Sequence, residues 1–235
     1  MNIIGIDTTT NSFCIGLIDN KEILSRRIVK SKGFHSEEFL FYLEAILKER
    51  SLNKEDIDGY AISIGPGSLT GIRVGLAFLK GIAFAVGKPV VPVKTLYAIA
   101  YEFRKGYEYI CPIISTRKNK VFSALYRFNP AIVYKSQHNF PNCEGIKKKR
   151  DETIIEQICI GIEELLDCLP EKNILFVGNG ALKYKSELEG FCNTRVHFER
   201  KEITHPDPVV IAEIGLMKIK EGNLPPVDKL EPVYL

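Results

Sequence analysis

Two segments of this chain combine residue types and spacings that could do chemistry. The first is Asp7-Thr8-Thr9-Thr10-Asn11-Ser12. A carboxylate at a strand end, followed by a hydroxyl-rich turn, can hold a phosphate or a metal-bound water. The same Thr and Asn side chains also suit a plain turn, because they bond nearby backbone. The second segment runs from Ser63 through Gly65-Pro66-Gly67-Ser68 to Gly71 and Gly75. It joins an apolar run to a helical pattern, and backbone amides at a helix start attract anions. It matches neither the G-x-x-x-x-G-K-[ST] nor the G-x-G-x-x-G fingerprint. Gly71 and Gly75 lie four apart, a spacing that lets another backbone approach a helix closely. Packing is therefore the stronger generic reading of this segment.

Other chemistries find little support. Of the four histidines, His138 and His197 have no acidic or sulfur partner at ligand spacing, while His35, before a helix cap, and His205, at a helix start, read as surface or capping residues. There is no G-x-S-x-G elbow and no Cys–His neighbour. Ser68 is better placed to cap a helix than to attack a carbonyl. The six cysteines form no C-x-x-C pair and read as reduced, mostly buried thiols. Neither a metal site nor a catalytic residue is expected.

The 235 residues are 45% hydrophobic and 26% charged, which suits a folded chain with an ordinary core. The net charge is only +3, from 32 basic and 29 acidic side chains, so a general nucleic-acid binder is not indicated. The basic run Lys147 to Arg150 reads as solvated, and so does the hairpin tip with Arg117, Lys118 and Lys120. Met1 to Asp7 reads as a strand rather than a leader. The apolar stretch Val74 to Val86 is broken by Lys80 and is short for a bilayer. A cytoplasmic location is expected.

The elements that must position the two segments follow from periodicity. Asn2 to Asp7, Ser12 to Asp19 and Glu22 to Val29 read as an antiparallel meander. A helix opens at Ser36, then come a strand at Gly59 to Ile64, a helix over about Leu69 to Val86, a strand at Pro89 to Val93 and a helix at Thr95 to Phe103. The second half repeats the beginning, with strands at Ile110–Ile114, Val121–Phe128 and Ile132–Tyr134. A polar loop at Ser136 to Arg150 follows, then a helix over Thr153 to Leu169, a strand at Asn173 to Val177 and a helix after Gly178-Asn179-Gly180. A last helix spans about Asp207 to Glu221. The order β-β-β-α-β-α-β-α is that of a ribonuclease H-like half-domain. The expected division is 1–104 with the helix at about 207–221 packing back, 105–206 as a smaller half-domain, and 222–235 as an extended tail.

The helix after the glycines is apolar nearly all round, interrupted only by Arg73 and Lys80. Such a helix needs a second partner beyond its sheet. The preceding helix offers Phe41 and Tyr42 away from its main stripe. Together these point to a subunit interface containing Phe41, Tyr42, Gly71, Val74, Gly75, Phe78 and Ile82.

The patterns I-G-I-D-T-T-T at the start, H-S-E-E at 35–38 and I-G-P-G-S-L-T-G-I-R-V-G-L-A-F-L-K-G-I-A at 64–83 resemble the TsaB (YeaZ) family. Gly178-Asn179-Gly180-Ala181 and the closing Glu231-Pro232-Val233-Tyr234-Leu235 agree. The resemblance implies an α/β chain with the actin-like ATPase (ASKHA, ribonuclease H-like) fold: two half-domains, each a mixed sheet flanked by helices. It implies a non-catalytic scaffold and activator in threonylcarbamoyladenosine formation on ANN-decoding tRNAs. Its implied partners are the catalytic paralogue TsaD, the ATPase TsaE and a second copy of itself, with tRNA reached only through the complex. The implied nucleotide cleft is vestigial and comprises Asp7, Thr8, Thr9, Thr10, Gly65, Gly67, Gly178 and Gly180. Actin-like hairpins carry a glycine where Thr8 and Thr9 stand, so no tightly bound cofactor is expected and ATP serves the complex. Relatives also carry an acidic residue and Ala-Arg where Ser115-Thr116-Arg117 stands here. The alternatives are a small ATP-dependent transferase or kinase of the same fold, and a self-contained regulatory homodimer.

Overall fold

The computed structural model describes residues 1–20, 22–30, 36–116, 119–129, 151–191, 196–199 and 203–235. His35, His138, Cys143, Cys192, Arg117, Lys118, the strand expected at Ile132–Tyr134 and the loop with the basic run lie outside them, as do the side chains of Ser36, Glu37 and Glu38. The chain divides into two compact units, one formed by Met1–Ala98 with His205–Tyr234 and the other by Ile99–Thr204 with Leu235.

The first unit begins with β1 (Asn2–Asp7), β2 (Ser12–Asp19), β3 (Glu22–Lys30), α1 (Ser36–Glu49), β4 (Gly59–Ser63), α2 (Leu69–Val86) and β5 (Val90–Val93). The helix α3 (Thr95–Glu102) leads onward. The second unit contains β6 (Tyr109–Ser115), β7 (Lys120–Arg127), β8 (Glu152–Gly161), α4 (Ile162–Cys168), β9 (Ile174–Val177), α5 (Asn179–Lys183), α6 (Lys185–Phe191) and β10 (Val196–Phe198). The last helix, α7 (Pro208–Glu221), returns to the first unit.

The sheet orders are β3-β2-β1-β4-β5 and β10-β9-β6-β7-β8. Read from the other end, the second is the first repeated. In each, the three opening strands form an antiparallel meander and the last two join in parallel. Short hairpins permit the antiparallel part, and the parallel strands require helical crossovers.

β1 is apolar on both faces because both are covered. Ile4 and Ile6 join Phe13, Phe39, Tyr60, Leu76 and Leu79 in a core that includes side chains of α1 and α2. Ile3 joins Ile18, Val209, Ala212 and Leu216 in a second core with α7. The register pairs Gly5 with Gly16, which opens a slot for that helix. A Cβ on Gly5 would lie 2.1 Å from the Pro208 carbonyl oxygen. Asp207 starts α7 by accepting the Val209 N–H at 2.9 Å, and its other oxygen pairs with Arg26 at 2.7 Å.

The structure corrects the second half in two places. The helix expected over Thr153–Leu169 is a strand as far as Gly161 and a helix only from Ile162 to Cys168. Thr153, Ile155, Ile158 and Ile160 are β-branched and pair with β7, and this outweighs their helical spacing. The short strand β10 was not foreseen. The tail also differs from a simple extension: Val227–Lys229 forms a 3-10 turn and Leu230 is buried beside Leu76 and Leu79.

Candidate functional site

In the first unit, the two chemically suggestive segments meet. The β1–β2 turn lies under the start of α2, and the glycines of α2 make this approach possible. A Cβ on Gly67 would lie 2.3 Å from the Thr9 carbonyl oxygen, on Gly71 2.0 Å from that of Thr8, and on Gly75 2.4 Å from Thr8 Oγ1. Thr8 and Thr9 are buried as a result. Gly71 and Gly75, expected at the subunit interface, therefore face inward onto this turn.

Three amides of the glycine segment bond inside the fold. Gly65 N–H donates to Thr95 Oγ1 at 3.2 Å, Ser68 N–H to the Thr9 carbonyl at 2.7 Å, and Gly71 N–H to Ser68 Oγ at 3.2 Å. Ser68 is thus the N-cap of α2. Gly65 adopts φ +115°, and the Val233 carbonyl oxygen lies 2.5 Å from where its Cβ would be, so glycine is required twice over.

Asp7 is fully buried at the end of β1. Its Oδ1 accepts the Thr9 hydroxyl at 2.7 Å. Burial raises its carboxyl pKa to about 6, opposed by Thr9, Ser63 and Thr10. The Ser63 hydroxyl is close enough to contribute, yet neither it nor Asp7 Oδ2 completes a hydrogen bond. Thr10 is half-buried and its hydroxyl accepts the Ser12 N–H at 3.3 Å.

Gly178 and Gly180 form the corresponding feature of the second unit. Their Cβ positions would lie 2.4 Å from the Ile113 carbonyl oxygen and 2.6 Å from Ile113 Cγ2. Asn179 between them accepts the Ser115 N–H at 3.0 Å. Each unit thus seats a glycine turn after its fourth strand on the end of its first.

The helix pair presents a different surface. α2 runs from its Ser68 cap to Gly87, whose φ of +65° ends it. Ile72, Gly75, Leu76, Leu79 and Ala83 face the core, while Ala77, Gly81, Phe84 and Ala85 are exposed. Phe84 is 87% exposed, and on α1 Phe41 is 65% and Leu40 45% exposed. By length and composition alone α2 could cross a membrane, but its inner face is a core face. Phe78 and Ile82 are half-buried against the core, with the Phe78 and Phe39 rings 4.3 Å apart. Tyr42 stacks on Phe13 at 5.6 Å, and Val74 is half-buried. Phe84 and Leu40 were missed from the sequence as members of this face. The signal was available in Phe84, which falls about one, two and three helical turns from Lys80, Ala77 and Arg73.

Among the described residues, no group of three or more His, Cys, Asp or Glu is placed to hold a metal ion. His197 lies 5.3 Å from the Tyr107 ring, and Cys14 and Cys111 are buried.

Comparison with known proteins adds the family. The model for the family "TsaD: tRNA N6-adenosine threonylcarbamoyltransferase" matches residues 23–221. A tRNA N6-adenosine threonylcarbamoyltransferase of Thermodesulfovibrio yellowstonii is 30% identical, but the match covers 57% of this chain and 45% of that protein. The tRNA threonylcarbamoyladenosine biosynthesis protein TsaB of Bacillus subtilis is 24% identical over 100% of this chain and 94% of its own length. The chain belongs to the TsaD family, in its TsaB (YeaZ) branch. YeaZ of Pseudomonas aeruginosa has the same fold, with a TM-score of 0.78, 18% identity, and coverage of 100% of this chain and 99% of that one. The doubled 3-2-1-4-5 sheet is accordingly that of the actin-like ATPase fold. The TsaB family takes part in threonylcarbamoyladenosine biosynthesis on tRNA.

Proposed function

We propose that this chain is the non-catalytic scaffold and activator subunit that lets its catalytic paralogue TsaD form threonylcarbamoyladenosine next to the anticodon of ANN-decoding tRNAs. The observation that carries it is the exposed apolar stripe of α2 beside α1, with Phe84, Phe41 and Leu40 in water. A concentrated apolar patch on a well-packed unit marks an association surface. Across that face the chain binds TsaD, supports TsaE recruitment, and pairs with a second copy when TsaD is absent. It works in the cytoplasm, and tRNA is engaged through the complex.

The filled turn under α2 supports a role without chemistry. Thr8 and Thr9 pack where Cβ atoms at Gly67, Gly71 and Gly75 would sit, and the Gly65, Ser68 and Gly71 amides bond within the fold. ATP is therefore turned over by the complex rather than by this chain.

The test is an omission experiment. TsaD, TsaE, unmodified tRNA, threonine, ATP and the components that supply the threonylcarbamoyl adenylate are combined with and without this chain, and the modified nucleoside is measured. Product that requires both this chain and TsaD is expected. Full product without the chain, or ATP hydrolysis by the chain alone, overturns the proposal.

A further inference from the structure

The closing residues Glu231-Pro232-Val233-Tyr234 have no part in the function argued so far, yet they are held in place. Leu230 is 3% exposed in the core beneath α2. The Val233 N–H donates to the Ile64 carbonyl at 2.7 Å, closing the tail against the end of β4. Lys80 Nζ donates to the Asp228 carbonyl at 3.0 Å. Arg73 Nε donates to the Tyr234 hydroxyl at 2.8 Å, with the guanidinium 5.3 Å from the centre of that ring.

These anchors fall on one side of α2. At 100° per residue, Leu69, Arg73, Leu76 and Lys80 form the flank that meets the tail. Gly71, Phe78 and Ile82 form the opposite flank, where Phe78 meets Phe39 of α1. Thr70, Ala77, Gly81 and Phe84 lie between the two flanks and are exposed. The stripe is therefore bordered by α1 on one side and by the tail on the other.

We infer that the tail is the second wall of the docking face, and that Tyr234, fixed by Arg73, is its polar rim contact with the catalytic paralogue. This rests on the proposed function, which supplies the partner. Tyr234 stays 49% exposed despite its hydrogen bond, so its ring remains available to a partner. A tyrosine with its ring already fixed loses little entropy on binding, and Tyr and Arg are the residue types that concentrate interface energy. Beside the tail anchors, Leu69 is 55% exposed and extends the apolar surface toward that rim.

The test titrates purified TsaD-type subunit into wild-type chain and into Tyr234→Ala, Arg73→Ala, the double variant and Phe84→Asp, with the unfolding midpoint of each measured alongside. Leu230 is left untouched so that the core stays closed. Tyr234→Ala and Arg73→Ala are each expected to weaken binding at least fivefold, with midpoints close to wild type. The double variant should be no weaker than the worse single one, because the two act as a unit. Unchanged affinity in both single variants, with binding lost in Phe84→Asp, overturns the tail's role and leaves the docking face standing. A fully additive double variant overturns the coupling of Arg73 to Tyr234. Wild-type binding by Phe84→Asp overturns the docking face itself, and the inference with it.

Discussion

Thr8 occupies the space that a side chain at Gly75 would take: its Oγ1 lies 2.4 Å from the position of the missing Cβ. The hairpin that opens the fold and the helix that presents the apolar stripe are thereby locked together. Gly75→Ala should destabilise the chain by about 1–3 kcal/mol, the usual cost of overpacking. Thr8→Ala should relieve part of it, so the double variant should be more stable than the sum of the single effects. Urea unfolding of the four proteins measures this. Strict additivity would mean that the two residues do not share the space.

Asp7 gives a pH dependence of known sign. Its pKa rises from 3.8 to about 6 on folding because burial disfavours the charge. Between those values the native state binds more protons than the unfolded chain, so stability falls as pH rises through that window. The shift corresponds to roughly 2–3 kcal/mol, present as stability at low pH and lost above about pH 6. Asp7→Asn should flatten that part of the profile and leave the protein at least as stable at pH 7.5. Denaturant unfolding from pH 4 to 8 checks it, and an unchanged slope in the variant would contradict this role for Asp7.

The start of α7 rests on Asp207. Asp207→Ala removes the cap to Val209 together with the pair to Arg26, and should cost about 1–2 kcal/mol. Arg26→Ala should cost under about 1 kcal/mol, because that side chain is 44% exposed and solvent screens the pair. Comparing thermal unfolding of both variants separates cap from ion pair. Equal losses would show that the pair, not the cap, dominates.

Much of the fold was legible in local patterns. The α2 helix could be placed at Leu69–Val86 because Ser68 caps a run that is apolar nearly all round, interrupted only by Arg73 and Lys80. Asp207 was readable as a helix start for the same reason. The failure at Thr153–Leu169 has a specific cause: Ile154, Ile155 and Ile158 fit a helical stripe as well as a strand, and only pairing with β7 decides between them. The candidate site was legible in part. The spacing of Gly71 and Gly75 signalled a close approach, but not that Thr8 would be what approached. The tail's docking was invisible because its anchors, Ile64, Arg73 and Lys80, lie about 150 residues or more away in sequence, and no local period carries such contacts.

The most direct measurement follows nucleoside formation by the reconstituted system as wild-type chain or Phe84→Asp is titrated in. Phe84 is 87% exposed, so the charge should leave the isolated chain folded. A scaffold that acts through its α1–α2 face predicts that the variant needs at least tenfold more protein for half-maximal product and approaches the same maximal rate at saturation. A dose–response identical to wild type would contradict the account, because the exposed stripe would then have no part in the activity.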